Sequence, residues 1–456
     1  MNEKFFFRVY FVSLFLLISS LSYSQEDCWD QRELRLKLQQ VLDSSANSLS
    51  IKGVSAAINL PDNKILTLVS GFSYANIGIS PKMLFGAGSI TKNFMAALIL
   101  QLSEERRLSI NDPISRYFPD HRNIDKNITI KELLNHTSGI FNYTDSTTFF
   151  PTVLSNPAKI WTSEEIFTYV SKPNFVHGTN YYYSNTDYVI LGCILQKVTG
   201  NSVSDELNKR LFRPLQLKST FLYPDEEYKG ELSHVFAGDM DYFPMVGPSL
   251  FSCAWSSGGI ITTPSDLTKW SKALYGGKVI KRLSMQKMLE SSKVNPSYGL
   301  GTMLLNVDGK ITYGHYGNIL YNSYMNYFPD DKISIAVMEN NAGVLAESIM
   351  VDLFRAYKNY KPQAEKPKIE ISCYPVPFNN SITISYELYA DALVLLKISN
   401  AFGREIALFP HCEGQIGSHS IIWDGMDKQG KPVPIGLYYY TFIVDKEIHG
   451  GIIVKQ

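Results

Sequence analysis

The pattern of apolar and polar positions near the N-terminus predicts a β-hairpin followed by a helix. From about residue 51 to 75, in GVSAAINLPDNKILTLVSGFSY, two β-rich runs flank a PDNK turn, which is typical of a hairpin. The apolar stretch NFMAALILQL lies just after Ser89. It predicts a helix that begins at this serine.

Helix start signals dominate between about residues 110 and 290. Thr162-Ser163-Glu164-Glu165 forms a capping box, and Thr263-Pro264 places proline at the first helical position, with Gly276-Gly277 as a stop. Strand patterns then return in YGLGTMLL, KITYGHYG, YNSYMNYF and KISIAVME, and VLAESIMVDLFRAYK predicts a closing helix. Residues 25–360 therefore predict an α+β domain: an antiparallel sheet with halves far apart in sequence, flanked by helices and carrying a helical subdomain.

The composition changes at residues 361–368, KPQAEKPK, which predicts a polar, proline-bearing linker. Every segment beyond it resembles strand or turn, including ITISYEL, LVLLKIS, HSIIWDG and GLYYYTFIV. Residues 369–456 are too few for a large domain and have no helix signal. They predict a small all-β, immunoglobulin-like sandwich.

The first 24 residues predict a signal peptide. Lys4 and Arg8 precede an apolar run, and small residues at Ser22 and Ser24 predict cleavage after Ser24. A membrane anchor is the competing interpretation, but the apolar run is too short to span a bilayer comfortably. The mature protein is expected to be exported, with no stable transmembrane segment.

The charge balance and the cysteine pattern limit the classes of partner and cofactor that the chain is expected to bind. The 456 residues include 43 basic and 43 acidic side chains, and this balance argues against a nucleic-acid or anionic-membrane partner. Catalysis on a small or neutral substrate fits better. The five scattered cysteines form no C-x-x-C, so neither a zinc site nor a disulfide framework is indicated, and no metal or cofactor is expected.

Three short motifs carry candidate chemistry, although none is specific alone. Ser89 and Lys92 lie one helical turn apart, so the serine could be a helix cap or a nucleophile with an amine beside it. Tyr183-Ser184-Asn185 and His315-Tyr316-Gly317 are the other two. The Ser-x-x-Lys spacing recurs at Ser284-Met285-Gln286-Lys287, which shows how weak any single motif is.

The order of the motifs and their flanks is far more specific. Over roughly residues 30 to 358, the blocks FGAGSITKNFMAALI, IKELLNHTSGI, FVHGTNYYYSNTDYVILGCILQKVTG, SSGGIITTPSDLTKW, YGLGTMLL and YGHYGNILY resemble the serine hydrolase superfamily of class C β-lactamases, penicillin-binding DD-peptidases and related esterases. The resemblance implies an acyl-enzyme mechanism with Ser89 as nucleophile. Lys92 and Tyr183 are the two available bases; burial would depress the pKa of the lysine and a neighbouring cation that of the tyrosine.

The same resemblance implies the substrate contacts. The backbone N–H of Ser89 at a helix start and that of Asn318, just past Gly317, would stabilise the oxyanion. Asn185 would bond the substrate amide or Lys92, and His315 would contact the substrate.

The main departure from class C β-lactamases is His315, which stands where those enzymes have the lysine of Lys-Thr-Gly. A histidine is mostly neutral at pH 7.5, so it offers no fixed cation for a carboxylate. The His-x-Gly form resembles DD-carboxypeptidases, D-aminopeptidases and esterases of the superfamily, and peptidoglycan-like D-amino acid peptides or related amides are the expected substrates. The alternatives are an esterase or β-lactamase of the same superfamily, or a non-catalytic surface receptor for peptides or β-lactams.

The C-terminal residues carry a second resemblance. CYPVPFNNSITISYEL, VLLKISNAFGREI, GSHSIIWDGMDKQGKPVPIGLYYYTF and IIVKQ resemble the type A sorting domain of the type IX secretion system of Bacteroidetes. This implies an export address read by that machinery, and a protein secreted or held at the outer cell surface. The alternative is a sandwich that binds polysaccharide or a neighbouring protein.

Overall fold

The computed structural model describes residues 33–343, 347–360, 369–388, 392–414, 417–444 and 447–456. The signal peptide predicted at 1–24 and the linker predicted at 361–368 lie outside these ranges. The chain divides into two compact units, Met1–Tyr360 and Lys361–Gln456. None of the described helices combines the length and apolarity that crossing a membrane requires.

Twelve strands are described in the first unit, in a large sheet and two small ones. They are β1 (Gly53–Asn59), β2 (Ile65–Tyr74), β3 (Ile77–Gly78), β4 (Phe85–Gly86), β5 (Phe221–Leu222), β6 (Phe236–Ala237), β7 (Met240–Asp241), β8 (Ile260–Thr262), β9 (Met303–Val307), β10 (Lys310–Ile319), β11 (Tyr321–Phe328) and β12 (Ile333–Glu339). The large sheet has the order β3-β2-β1-β12-β11-β10-β9 and is antiparallel throughout.

The helices of the first unit lie before, between and after these strands. They are α1 (33–48), α2 (Thr91–Glu104), α3 (Ile130–Leu134), α4 (Phe149–Ser155), α5 (Ser163–Phe167), α6 (Asn185–Thr199), α7 (Val203–Leu207), α8 (Pro248–Gly258), α9 (Pro264–Tyr275), α10 (Arg282–Leu289) and α11 (Glu347–Lys358). Helices α1 and α11 pack on one face of the sheet, and α2 and α9 contribute to the core on the other.

The predicted α+β fold is confirmed. The early hairpin β1–β2 joins the late strands through β1 and β12, where Val54 pairs with Glu339. Thr162 and Glu165 make the reciprocal bonds of the predicted capping box at α5. Pro264 occupies the first turn of α9, and this helix ends at Gly276.

Two predicted boundaries are wrong. The helix expected to begin at Ser89 begins at Thr91, because Gly88–Ile90 forms a separate 3₁₀ turn. Of YGLGTMLL, only the end is strand. The Gly299 N–H donates to the Thr302 carbonyl, 2.8 Å away, and closes a turn before β9.

Seven strands are described in the second unit: β13 (Ile369–Tyr374), β14 (Ile382–Leu388), β15 (Ala392–Asn400), β16 (Glu405–Gly414), β17 (Gly417–Trp423), β18 (Gly436–Val444) and β19 (Glu447–Lys455). They form two antiparallel sheets, β13-β14-β17 and β16-β15-β18-β19. Alternate residues of both sheets, such as Ile384 and Phe442, enter one apolar core around Trp423. This is the arrangement expected of a small sandwich.

Candidate active site

Ser89 lies in the short turn that connects β4 to α2. Its position at a helix start is typical of a cap, yet neither the 3₁₀ turn nor α2 has a side-chain cap hydrogen bond. Instead, the Ser89 hydroxyl oxygen lies 2.9 Å from Nζ of Lys92. The serine therefore serves no capping role here.

Lys92 is fully buried beside this hydroxyl and is held in three directions. Its Nζ donates to Oδ1 of Asn185 and to the carbonyl oxygen of Ser257, both at 2.7 Å. Burial holds the pKa of the Lys92 amine well below its ordinary value of 10.5, and Asp187 only partly opposes this effect. Because a cation costs much free energy in such a site, burial favours the neutral amine.

Tyr183 stands on the other side of the amine, with its ring centre 4.8 Å from Nζ of Lys92. Its buried hydroxyl has no partner of acceptable hydrogen-bond geometry among the described residues. Burial raises the pKa of Tyr183 well above 10, although hydrogen bonding toward Ser89 acts in the opposite direction. A tyrosinate base needs the reverse shift, so the expected lowering of this pKa by a neighbouring cation is wrong.

Gly317 on β10 touches the Ser89 turn through the backbone. A Cβ on Gly317 would lie 1.9 Å from the Ala87 oxygen and 2.9 Å from the Ser89 nitrogen. Gly88, at φ +52°, would place a Cβ 2.8 Å from the Asn318 nitrogen. Two glycines therefore allow strand β10 and the Ser89 turn to meet. The backbone nitrogens of Ser89 and Asn318 both lie where the strand touches the turn.

His315 is fully buried, and both of its ring nitrogens have protein partners. Nδ1 lies 2.5 Å from the Tyr316 carbonyl oxygen and Nε2 lies 2.9 Å from the Tyr298 hydroxyl. A carbonyl can only accept, so Nδ1 carries the proton and Nε2 accepts from Tyr298. Burial lowers the pKa of His315 to about 3. The neutral ring has no free nitrogen for the substrate that was expected to bind it.

A buried polar group of Ser138, His136 and Asp187 lies behind Lys92, and none of the three was singled out from the sequence as functional. Asp187 accepts a 2.5 Å hydrogen bond from the Ser138 hydroxyl, and its other oxygen lies 2.9 Å from Nδ1 of His136. Burial raises the pKa of Asp187 well above its ordinary value and lowers that of His136. The signal available in the sequence was the position of NHTSG and SNTD inside the recognisable blocks.

A cavity of about 240 Å³ opens beside Ser89, and Asn185 and Asn318 also line it. Among the described residues, no group of three or more His, Cys, Asp or Glu side chains could hold a metal ion. Cys193, Cys253 and Cys373 are free thiols.

Comparison with known proteins places this geometry in a family context. The family model described as Beta-lactamase matches residues 38–355, well over half of the chain. The teichoic acid D-alanine hydrolase of Staphylococcus aureus is 25% identical over 246 residues, which are 53% of this chain and 57% of that protein. The match thus spans little more than half the length of this curated relative.

Solved structures cover the first unit more fully. A D-stereospecific amidohydrolase from Streptomyces sp. is 26% identical, covers 70% of this chain and 97% of its own, and has a TM-score of 0.63. The D-amino acid amidase from Ochrobactrum anthropi SV3, complexed with L-phenylalanine, is 25% identical, with 72% and 99% coverage and a TM-score of 0.65. The octameric penicillin-binding protein homologue from Pyrococcus abyssi, at 20% identity, 92% and 98% coverage and a TM-score of 0.60, shares the fold.

Proposed function

The chain belongs to the beta-lactamase family and is a serine hydrolase; from this premise we propose that it cleaves amides of D-amino acids through an acyl-enzyme on Ser89. The observation that carries the proposal is the bonding of Lys92. Its Nζ lies between two carbonyl oxygens and the serine hydroxyl.

The two carbonyl oxygens determine the direction of proton transfer. Those of Asn185 and Ser257 can only accept, so they take both N–H groups of a neutral amine. The remaining lone pair of Nζ then faces the Ser89 hydroxyl, 2.9 Å away. A lone pair at this distance is positioned to act as general base. Of the two candidate bases, we therefore assign the role to Lys92.

Acylation then needs one bond made and one broken. Lys92 takes the hydroxyl proton as Oγ of Ser89 bonds to the substrate carbonyl carbon, and the oxyanion is stabilised by the backbone N–H groups of Ser89 and Asn318. Collapse breaks the carbon–nitrogen bond, and the leaving amine receives the proton held by Lys92. Tyr183, a neutral phenol next to both groups, is placed to relay this proton. Water then releases the acyl group by the reverse sequence.

The substrate class rests on the relatives and on His315. The printed names of the relatives refer to D-alanine, D-amino acid amide and D-stereospecific hydrolysis. A neutral His315 provides no cation for a carboxylate, in contrast to the lysine of class C β-lactamases. D-amino acid amides and peptides, including fragments of peptidoglycan, are therefore proposed ahead of β-lactams and simple esters. His315 accepts a hydrogen bond from Tyr298 instead of contacting the substrate.

Intact-mass spectrometry tests the proposal. The full chain is incubated with a D-amino acid amide, a D-Ala-D-Ala peptide, a p-nitrophenyl ester and nitrocefin. We expect a transient acyl adduct and multiple turnovers with the amide, and neither with Ser89→Ala. Ser284→Ala is the matched control, because Ser284 and Lys287 have the same spacing in α10. A stable adduct without turnover would instead support a receptor, and preferred turnover of the ester or nitrocefin would support an esterase or β-lactamase.

We also propose that residues 1–24 and 369–456 direct export through the type IX secretion system to the outside of the cell. This proposal rests on the signal-peptide pattern of residues 1–24 and on the resemblance of the C-terminal residues to the type A sorting domain. In a host with that system, the full chain should reach the medium or outer surface, whereas a chain that ends at Tyr360 should remain in the periplasm with equal activity in lysates. Equal export of both chains would refute the address. Binding of the full chain alone to polysaccharide would support the alternative.

A further inference from the structure

We infer that the cavity beside Ser89 receives the side chain of the acyl residue and selects an uncharged, apolar side chain of leucine size or larger. This inference rests on the proposed function, because it requires Ser89 to be the attacking group. It adds a preference among D-amino acids that neither the family nor the relatives assign to this chain.

The position of the cavity relative to the proton-transfer groups identifies its occupant. The leaving group must lie on the side of Lys92 and Tyr183, because its nitrogen receives a proton from them. Neither of these residues lines the cavity, whereas Ser89, Asn185 and Asn318 do. The cavity therefore begins at the nucleophile and the oxyanion contact and extends away from the leaving group. An acyl side chain is the part of the substrate that enters it.

Apolar side chains form most of the cavity wall, although Thr144 and Ser257 also line it. Helix α4 contributes Phe150 and Leu154, helix α8 contributes Leu250 and Cys253, and Ile319 ends β10 at the edge of the space. Burial raises the pKa of the Cys253 thiol, so it remains protonated and acts as a small apolar group.

The cavity offers no ionic partner to a charged side chain of the substrate. Among the described lining residues there is no Asp, Glu, Lys, Arg or His. A carboxylate or ammonium group entering this space would lose water without gaining an ionic partner, which strongly disfavours its binding. His315, the position of the lysine in class C enzymes, does not line the cavity.

Size gives the second part of the preference. The cavity volume of about 240 Å³ exceeds the roughly 150 Å³ that suffices for a benzene ring in an apolar protein cavity. A D-alanine methyl group would leave most of this space unfilled, whereas a leucine or phenylalanine side chain would contact its walls. Apolar contact of this kind contributes to transition-state binding in proportion to the area buried.

Matched p-nitroanilides of D-Leu, D-Ala and D-Asp test both parts. D-Leu and D-Asp have side chains of nearly the same shape, and all three share the α-ammonium group, so the ratio of kcat/KM values isolates the side chain. We expect kcat/KM for the D-Leu substrate to exceed that for D-Ala by at least about tenfold. It should exceed that for D-Asp by about a hundredfold or more. Equal values for D-Leu and D-Asp, or a preference for D-Ala, would overturn the inference.

A charge placed on the wall should change the ratio. Leu154→Arg supplies a cation at the partly exposed side of α4 and should lower the D-Leu to D-Asp ratio at least about tenfold. Leu283→Arg is the control, because Leu283 is 73% exposed on α10, and it should leave the ratio unchanged. An unchanged ratio in Leu154→Arg contradicts the inference.

A second variant tests the inference if Leu154→Arg does not fold. Ala254→Phe on α8 fills the cavity and should lower kcat/KM for D-Leu more than for D-Ala; an equal loss for both contradicts the inference.

Fluorophosphonate labelling of Ser89 distinguishes failure of the proposed function from failure of the side-chain preference. Absence of labelling in the wild type counts against the proposed function, whereas normal labelling without side-chain preference counts against this inference alone.

Discussion

Gly317→Ala should disable the candidate active site without removing any polar group from it. The added methyl would lie 1.9 Å from the Ala87 oxygen, and real Cβ atoms essentially never approach other atoms more closely than 3.0 Å. Strand β10 or the Ser89 turn must therefore move by about 1.1 Å, the difference between those two distances. The Asn318 N–H moves with the strand, out of alignment with the oxyanion.

The magnitude follows from this displacement. A misplacement of about 1 Å can cost roughly 100-fold in rate, and loss of one oxyanion donor costs about 100- to 1000-fold in kcat. We therefore expect kcat to fall by about 100- to 1000-fold, with a smaller change in KM. Overpacking should also destabilise the first unit by about 1–3 kcal/mol.

The assay combines steady-state hydrolysis of a D-amino acid p-nitroanilide with thermal unfolding, so that activity is expressed per folded molecule. Two alanine variants serve as controls. Gly314→Ala creates an equal clash on β10, 1.9 Å from the Met325 oxygen, but away from Ser89, whereas Gly78→Ala meets nothing closer than 3.8 Å. Retention of Gly317→Ala activity within about threefold, or an equal loss in folded Gly314→Ala, would refute the reasoning.

Three further predictions concern protonation. Because the pKa of Lys92 lies well below 10.5 and only the free amine accepts a proton, kcat/KM should fall on acidification with a midpoint well below 10.5, whereas Lys92→Arg should be inactive at every pH. Tyr183→Phe removes a buried hydroxyl that has no partner of acceptable geometry among the described residues, so it should leave Tm unchanged or raised while lowering kcat by about 100-fold. Burial raises the pKa of Glu339 from 4.5 to about 8; the native state therefore retains a proton that the unfolded state loses, and stability should fall as the pH rises through this interval. Glu339→Gln should flatten that fall in a series of Tm measurements, and an unchanged slope would show that another group causes it.

Those parts of the fold that depend on local pattern could be predicted from the sequence. The PDNK turn and its flanking runs give the β1–β2 hairpin, and Thr162 with Glu165 gives the start of α5, because each depends on residues within a few positions of one another. That the early hairpin and the late strands share one antiparallel sheet followed from the order of strand and helix patterns. The start of α2 was displaced by two residues, because the glycine-rich turn has its own 3₁₀ geometry.

The electrostatic details of the site could not be predicted in this way. The acceptor that completes the Lys92 environment is a backbone carbonyl, that of Ser257, 165 positions away, and a backbone group has no residue-type signature. It is presented by α8, where Trp255 has the non-helical angles φ 36° and ψ −120°. The direction of the Tyr183 pKa shift and the tautomer of His315 likewise depend on burial and on partners such as Tyr298, which only packing determines.

The pairing of β1 with β12 also bears on when hydrolysis can begin during the life of the polypeptide. Ser89 and Lys92 leave the ribosome early, but Asn318 and the strands that hold it against the Ser89 turn come only after the whole helical region. Contacts so distant in sequence form late in folding. A nascent chain is consequently expected to be inert, and hydrolytic activity should appear only once synthesis has passed β12.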